Sequence, residues 1–186
     1  QWFYDQVIVV RDQQILGIVR RQDDGQPGIN GIENGPIAVA AHPTNGLVYV
    51  ATTWSGEPGQ NGVSILNGIT AVAHVTTGAS PTDIAINADT GVVYVANAGA
   101  NTISVISGTT LVQQIAVGAT PAALAIDADH NRLYVANQGD GSVTIIDTNT
   151  NLTLATVPVT AAPTGILVDS SSQLIYVVRR TAHSVT

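Results

Sequence analysis

Cysteine, lysine and methionine are missing from these 186 residues, and aromatic side chains make up only 4% of them. Without cysteine there is neither a disulfide framework nor a thiolate metal site. Without lysine, six arginines face 13 acidic residues, for a net charge of −7. That balance disfavours phosphate backbones and anionic membrane surfaces as partners. Charged residues total 10%, well below the roughly 25% of an average domain. Low lysine with abundant Asn, Thr and Gly fits an extracytoplasmic protein, whether periplasmic, extracellular or at the cell surface. No apolar run approaches the roughly 18 residues of a helical membrane span, and no signal peptide is visible. Opening on Gln1, with no methionine anywhere, the chain reads as processed or as a fragment.

What is present is a repeat. A thirteen-residue interval from proline to tyrosine occurs four times: Pro36 to Tyr49, Pro81 to Tyr94, Pro121 to Tyr134 and Pro163 to Tyr176, with the prolines 45, 40 and 42 residues apart. A period of roughly 40–45 residues belongs to architectures in which one supersecondary unit stacks on the next. Each unit breaks into four short β-branched segments. In the second copy these are Ile84–Ile86, Val92–Ala96, Ile103–Ile106 and Leu111–Val117, joined by Asn-, Gly-, Asp- and Ser-rich turns. No window shows a helical apolar period. The segment Val92-Val93-Tyr94-Val95-Ala96 is apolar on both faces, so each sheet must be covered on both sides. Four-stranded antiparallel sheets stacked around an axis, a β-propeller, satisfy that demand. Small residues Ala40, Ala85 and Ala125 suit the crowded centre, and the tyrosine of each repeat reads as a packing anchor with its hydroxyl at a polar edge.

The tetrapeptides Tyr94-Val95-Ala96-Asn97 and Tyr134-Val135-Ala136-Asn137 resemble the motif that names the YVTN family of β-propeller repeats. Tyr49-Val50-Ala51-Thr52 and Tyr176-Val177-Val178-Arg179 are weaker copies, and the likeness runs from about residue 36 to the end. The resemblance implies a propeller related to surface-layer and other exported proteins, a few of them subunits of redox enzymes; NHL-type propellers are the neighbouring class. Complete repeats cover 36–78, 79–118 and 119–160. Residues 1–22 fit the second half of a blade and 161–186 the first half. Either the halves combine to close a four-bladed ring, or the chain is a window on a larger ring of about seven blades; the second arrangement is the expectation. Such a piece would expose unpaired strand edges and tend to associate.

Two insertions break the period. One is 23–35, with Asp23, Asp24 and Glu33; the other is 52–62, with Trp54, Glu57 and Asn61. Extra length on a repeat scaffold gathers in loops on one face, where binding tends to reside. These six residues are the candidate interaction residues. Trp54 either docks on a partner or folds back onto its own blade; Glu57 either contacts a ligand or is solvated.

No catalytic or cofactor-binding constellation emerges. There is no Gly-x-Ser-x-Gly, His-Glu-x-x-His or phosphate-cradling glycine loop, and no Cys-x-x-Cys-His for haem. Asp127-Ala128-Asp129-His130-Asn131 has a calcium-like look, but the matching turns (His42–Gly46, Asn87–Gly91, Asp169–Gln173) are explained by hairpin chemistry alone. His42, His74, His130 and His183 fall at non-equivalent repeat positions and read as isolated polar residues. Asn151-Leu152-Thr153 is a formal glycosylation sequon of a kind that arises by chance. The leading expectation is a non-enzymatic exported propeller serving as a surface, assembly or protein-interaction scaffold, binding protein partners or itself. The alternatives are a docking subunit of a periplasmic oxidoreductase and, weaker, a propeller lyase or lactonase. The last needs inward-facing charges on first strands, where Asp83 is the only acid.

Overall fold

In the computed structural model the described residues are 6–11, 14–20, 29–30, 35–53, 61–159 and 162–180. Among them there are strands and turns but no helix. A first hairpin, β1 (Gln6–Arg11) and β2 (Gln14–Arg20), is joined by the two-residue β3 (Ile29–Asn30) running parallel to β2. Three antiparallel four-stranded blades follow. Blade 1 is β4 (Gly35–Ala41), β5 (Leu47–Thr53), β6 (Gly62–Asn67) and β7 (Thr70–Thr76). Blade 2 is β8 (Pro81–Ile86), β9 (Val93–Asn97), β10 (Thr102–Ser107) and β11 (Thr110–Ala116). Blade 3 is β12 (Pro121–Asp127), β13 (Arg132–Asn137), β14 (Ser142–Asp147) and β15 (Leu152–Pro158). A half-blade, β16 (Ala162–Asp169) and β17 (Leu174–Arg180), completes the order. The first strands β4, β8, β12 and β16 neighbour one another in sequence around the inner side.

Strand register explains the constant interval. In all four copies the proline pairs with the last residue of the tyrosine tetrapeptide (Pro36↔Thr52, Pro81↔Asn97, Pro121↔Asn137, Pro163↔Arg179), and a bulge follows at once. The tyrosines pair with small inner-strand residues in the complete blades: Ala40↔Tyr49, Ala85↔Tyr94 and Ala125↔Tyr134. The turn between them places one residue in the left-handed region, Gly46, Gly91, Asn131 or Gln173. Any change in length would slip this register and turn side chains to the wrong face.

The apolar-on-both-sides strands are explained by stacking. Alternate residues of one strand serve two different cores. Tyr49 and Ala51 pack with Val93 and Val95 of blade 2. Tyr94 and Ala96, on the other face of that same β9, pack with Leu133 and Val135 of blade 3. Each buried aliphatic side chain in these layers contributes roughly 1.5–3 kcal/mol.

The outermost strands are blunted in a repeated way. The β6–β7, β10–β11 and β14–β15 pairings all shift register at the same step, bulging out Val72, Val112 and Leu154. Those three side chains are about half exposed, at 51–55%. A bulge on an edge strand twists it away from flat pairing with another chain.

Candidate functional site

The two ends of each blade differ in content. In blade 1, Gly35 pairs with Thr53 and Thr52 with Gly62, so both insertions leave from adjacent strand ends at one end of the sheet. Asn61 is the one candidate interaction residue among the described positions. Its Oδ1 accepts a bond from Thr53 Oγ1 (3.3 Å) and its carbonyl one from the Thr77 amide (3.1 Å). Asn61 therefore ties the foot of the second insertion to the blade. Asp23, Asp24, Glu33, Trp54 and Glu57 lie outside the described residues.

At the same end of blades 2 and 3, polar side chains hold the framework together. Asn97 is buried, and its amide donates to the Thr102 carbonyl and to Ser104 Oγ (3.0 Å); Asn137 repeats this with Ser142 and Thr144 (3.0 and 2.8 Å). Asp83, in the first half of the inner strand β8, accepts bonds from the Ile84 amide and, across the blade boundary, from the Leu124 amide, both at 2.8 Å. Thr82 beside it donates to the Pro121 carbonyl at 2.7 Å. Burial pushes the Asp83 carboxyl above its ordinary range, with the two amides partly opposing. An acid with both oxygens engaged by backbone is a stitch between blades, unlike a free general acid.

The opposite end carries the tyrosine hydroxyls. Tyr49 donates to the Gly108 carbonyl of blade 2 (3.1 Å), and Tyr94 faces the Thr148 carbonyl and Asn151 Oδ1 of blade 3 (3.4 and 3.2 Å). Burial, then the Asp147 charge, pushes the Tyr94 phenol up to about 12.

At the third junction, Tyr134 borders a polar cleft of about 280 Å³ shared with Asp127, His130, Arg132 and, from the half-blade, Gln173. With His130 Nδ1 protonated it donates to Asp127 Oδ2 at 2.8 Å, leaving Nε2 to accept from the Gln173 amide at 3.0 Å. Burial alone would raise the Asp127 carboxyl; the hydrogen bonds from Ser170 and His130 outweigh it and hold it below its usual range. Arg132 bridges to Asp147 at 2.9 Å. Tyr134 is raised by burial first and the Asp127 charge second.

The sequence alone reads the Asp127–Asn131 run as a hairpin turn and the histidines as isolated, and does not assemble them into this cluster. His130 is instead paired with Asp127 and crosses to the next blade. The His42 ring also reaches the next blade, lying where a side chain on Gly91 of blade 2 would stand. The available signal was a departure from the repeat: blade 3 has Asp127, His130 and Arg132 where blade 2 has Asn87, Thr90 and Val92. Among the described residues no group of three or more His, Asp or Glu side chains converges as a metal site would require.

Comparison with known proteins places this architecture. The family model "Lactonase, 7-bladed beta-propeller" matches residues 52–169. No curated protein sequence matches the chain. Among solved structures it is similar to hydrazine synthase of Kuenenia stuttgartiensis, with 20% identity and a TM-score of 0.72 over 87% of this chain and 46% of that one. It is similar also to a functionally unknown protein of Desulfotomaculum acetoxidans (19% identity, TM-score 0.68, 89% of this chain and 52% of that one). A third is dihydro-heme d1 dehydrogenase NirN in complex with DHE (18% identity, TM-score 0.62, 77% and 32%). The chain thus spans between 32% and 52% of the length of these structures, and likeness at such identity speaks for fold alone. The match over residues 52–169 carries the conclusion: the chain belongs to the seven-bladed β-propeller lactonase family.

Proposed function

We propose that the chain is a propeller framework of YVTN type, exported and without turnover of its own, which presents the 23–35 and 54–60 connections to a protein partner. The observation that supports this most is the departure of both over-length connections from adjacent strand ends of blade 1, through the pairs Gly35↔Thr53 and Thr52↔Gly62. The polar groups at the same end of blades 2 and 3, Asp83, Asn97 and Asn137, are engaged in architecture. Docking within an oxidoreductase assembly is the setting suggested by two fold neighbours whose names are those of redox enzymes. The test is a photo-reactive residue at position 54, compared with one at Thr109 on the opposite end. The expected result is one discrete adduct from position 54 that is lost when 54–60 is shortened to the repeat length. The same adduct from Thr109, or none from position 54, would contradict the proposal.

A second reading is favoured by a specific observation. The Asp127–His130 pair beside Arg132 and the Tyr134 hydroxyl has the parts of a water-activating base and a carbonyl-polarising pair, in a chain of a lactonase family. Against it, His130 Nε2 is held by Gln173. Its mark would be lactone turnover dependent on His130.

A further inference from the structure

Five asparagines of this chain stand directly before glycine: Asn30, Asn34, Asn45, Asn61 and Asn67. The pair is chemically labile. Glycine has no Cβ to hinder its own amide nitrogen, so that nitrogen can close on the side-chain carbonyl carbon of the asparagine before it. Three of the pairs lie wholly among the described residues, at Asn45, Asn61 and Asn67, and the fold treats them differently.

Asn61 and Asn45 are held. Asn61 Oδ1 accepts from Thr53 Oγ1 at 3.3 Å, and its carbonyl from the Thr77 amide at 3.1 Å. Gly62 beside it is buried and paired on both sides, with Thr52 and Thr76. A Cβ there would run into the Val75 carbonyl and the His74 ring, so the Gly62 amide has no room to swing toward a side chain. Asn45 is exposed, but the Leu47 amide fixes its Oδ1 at 2.9 Å. Asn67 is different. It is the exposed last residue of β6, and among the described residues nothing bonds its side chain. Gly68 and Ile69 form the two-residue turn between the paired Asn67 and Thr70. The Gly68 amide therefore lies outside the ladder, and a Cβ on Gly68 would meet nothing within 4 Å.

We propose that Asn67 is a site of spontaneous covalent modification in the folded chain, converted by water to aspartate and isoaspartate. The Gly68 nitrogen gives its proton to solvent base and bonds to Asn67 Cγ; the Cγ–Nδ2 bond breaks and Nδ2 leaves as ammonia. Water then adds to one of the two carbonyls of the cyclic imide and reopens a C–N bond. Opening at Cγ yields aspartate. Opening at the backbone carbonyl yields isoaspartate, whose main chain runs on through Cβ and Cγ. Each event adds one negative charge to a chain already at −7. Isoaspartate also lengthens the backbone between β6 and its turn, and turn geometry with loop length fixes hairpin register. The outer strand β7, paired with β6 through that turn, is the element that this ageing loosens.

The test separates the fold's effect from that of the dipeptide. The whole chain, native and in urea, is incubated in mildly alkaline heavy-oxygen water, digested with pepsin in acid, and followed at each asparagine by mass spectrometry. In urea Asn45, Asn61 and Asn67 should convert at similar rates, since each precedes glycine. In the native chain Asn45 and Asn61 should fall behind severalfold, while Asn67 keeps most of its rate and yields labelled aspartate and isoaspartate together. G68A adds a methyl that meets no neighbour but hinders ring closure, and should slow Asn67 severalfold with Asn45 unchanged. Native conversion of Asn45 or Asn61 as fast as Asn67 would overturn the proposal, as would an Asn67 that folding slows as strongly as the other two. So would aspartate without isoaspartate, or a G68A chain that converts at the native rate. The β6–β7 turn lies at the opposite end of blade 1 from the insertions, so failure here leaves the partner-binding reading untouched.

Discussion

The hydroxyl of Tyr94 in blade 2 reaches Asn151 Oδ1 in blade 3 at 3.2 Å, 57 residues away in sequence. Tyr49 makes the matching contact to Gly108, 59 residues on. In blades 1 and 2 one tyrosine thus fills the core between two sheets with its ring and ties them together with its hydroxyl. Y94F should lower stability by about 1 kcal/mol, the net worth of one hydrogen bond. Y94A should cost about 3–5 kcal/mol by opening a cavity between blades. Urea unfolding of both, with N151A in a double-mutant cycle, measures the coupling; additive Y94F and N151A effects would contradict it.

Gly91 and Gly108 both sit in the left-handed region, at φ 71° and 59°, yet their surroundings differ. A methyl on Gly108 meets nothing within 4 Å, while one on Gly91 meets the His42 ring. G108A should therefore cost only the backbone penalty, roughly 1–2 kcal/mol, and G91A distinctly more. The double variant H42A/G91A should recover part of the difference. Thermal unfolding of the three variants decides it; equal losses for G91A and G108A would remove His42 from the blade junction.

Much of this was legible beforehand, for identifiable reasons. The Pro-to-Tyr interval announced the repeat because register in a half-buried hairpin tolerates no change of length. The doubly apolar Val92–Ala96 segment points to stacking because both of its faces need cover and the sequence shows no helical period to supply it. The His130–Asp127–Gln173 cluster was not legible, because Gln173 approaches His130 only through the stacking of one blade on the next. Asp83 could be located on an inner strand, but its bond to the Leu124 amide depends on the bulge that follows Pro121.

Asp83 and Asp169 should pull stability in opposite directions with pH. The folded-state pKa of Asp83 is raised above its ordinary 3.8 by burial. The folded protein therefore holds that proton more tightly, and this group's contribution falls as pH rises through 3.8 toward the raised value. The Asp169 pKa is lowered to about 2, chiefly by bonds from the Ser171 and Ser172 hydroxyls. Its contribution is present above 3.8 and lost as pH falls toward 2. Unfolding free energies measured from pH 2 to 7 should show D83N removing the downward slope above 3.8 and D169N removing part of the acid loss below it. Unchanged profiles would contradict both assignments.

Asn97 tests the buried amide layer. N97A leaves Ser104 Oγ and the Thr102 carbonyl without their shared donor and should cost about 1–3 kcal/mol. N97T copies blade 1, where Thr52 occupies this position and donates to the Gly62 carbonyl at 3.3 Å, and should cost less. Chemical denaturation ranks the pair; N97T as damaging as N97A would mean that the two blades solve this position differently.

The central claim is a framework that presents loops and turns over no substrate, and hydrolysis measured on the purified chain tests it most directly. The chain and its H130A variant are each incubated with a sugar δ-lactone and with a simple γ-lactone, following ring opening by proton release. The account predicts rates equal to the uncatalysed background for both proteins. Turnover by the native chain that H130A abolishes, in a variant still folded by circular dichroism, would contradict it and make the Asp127–His130 cleft an active site.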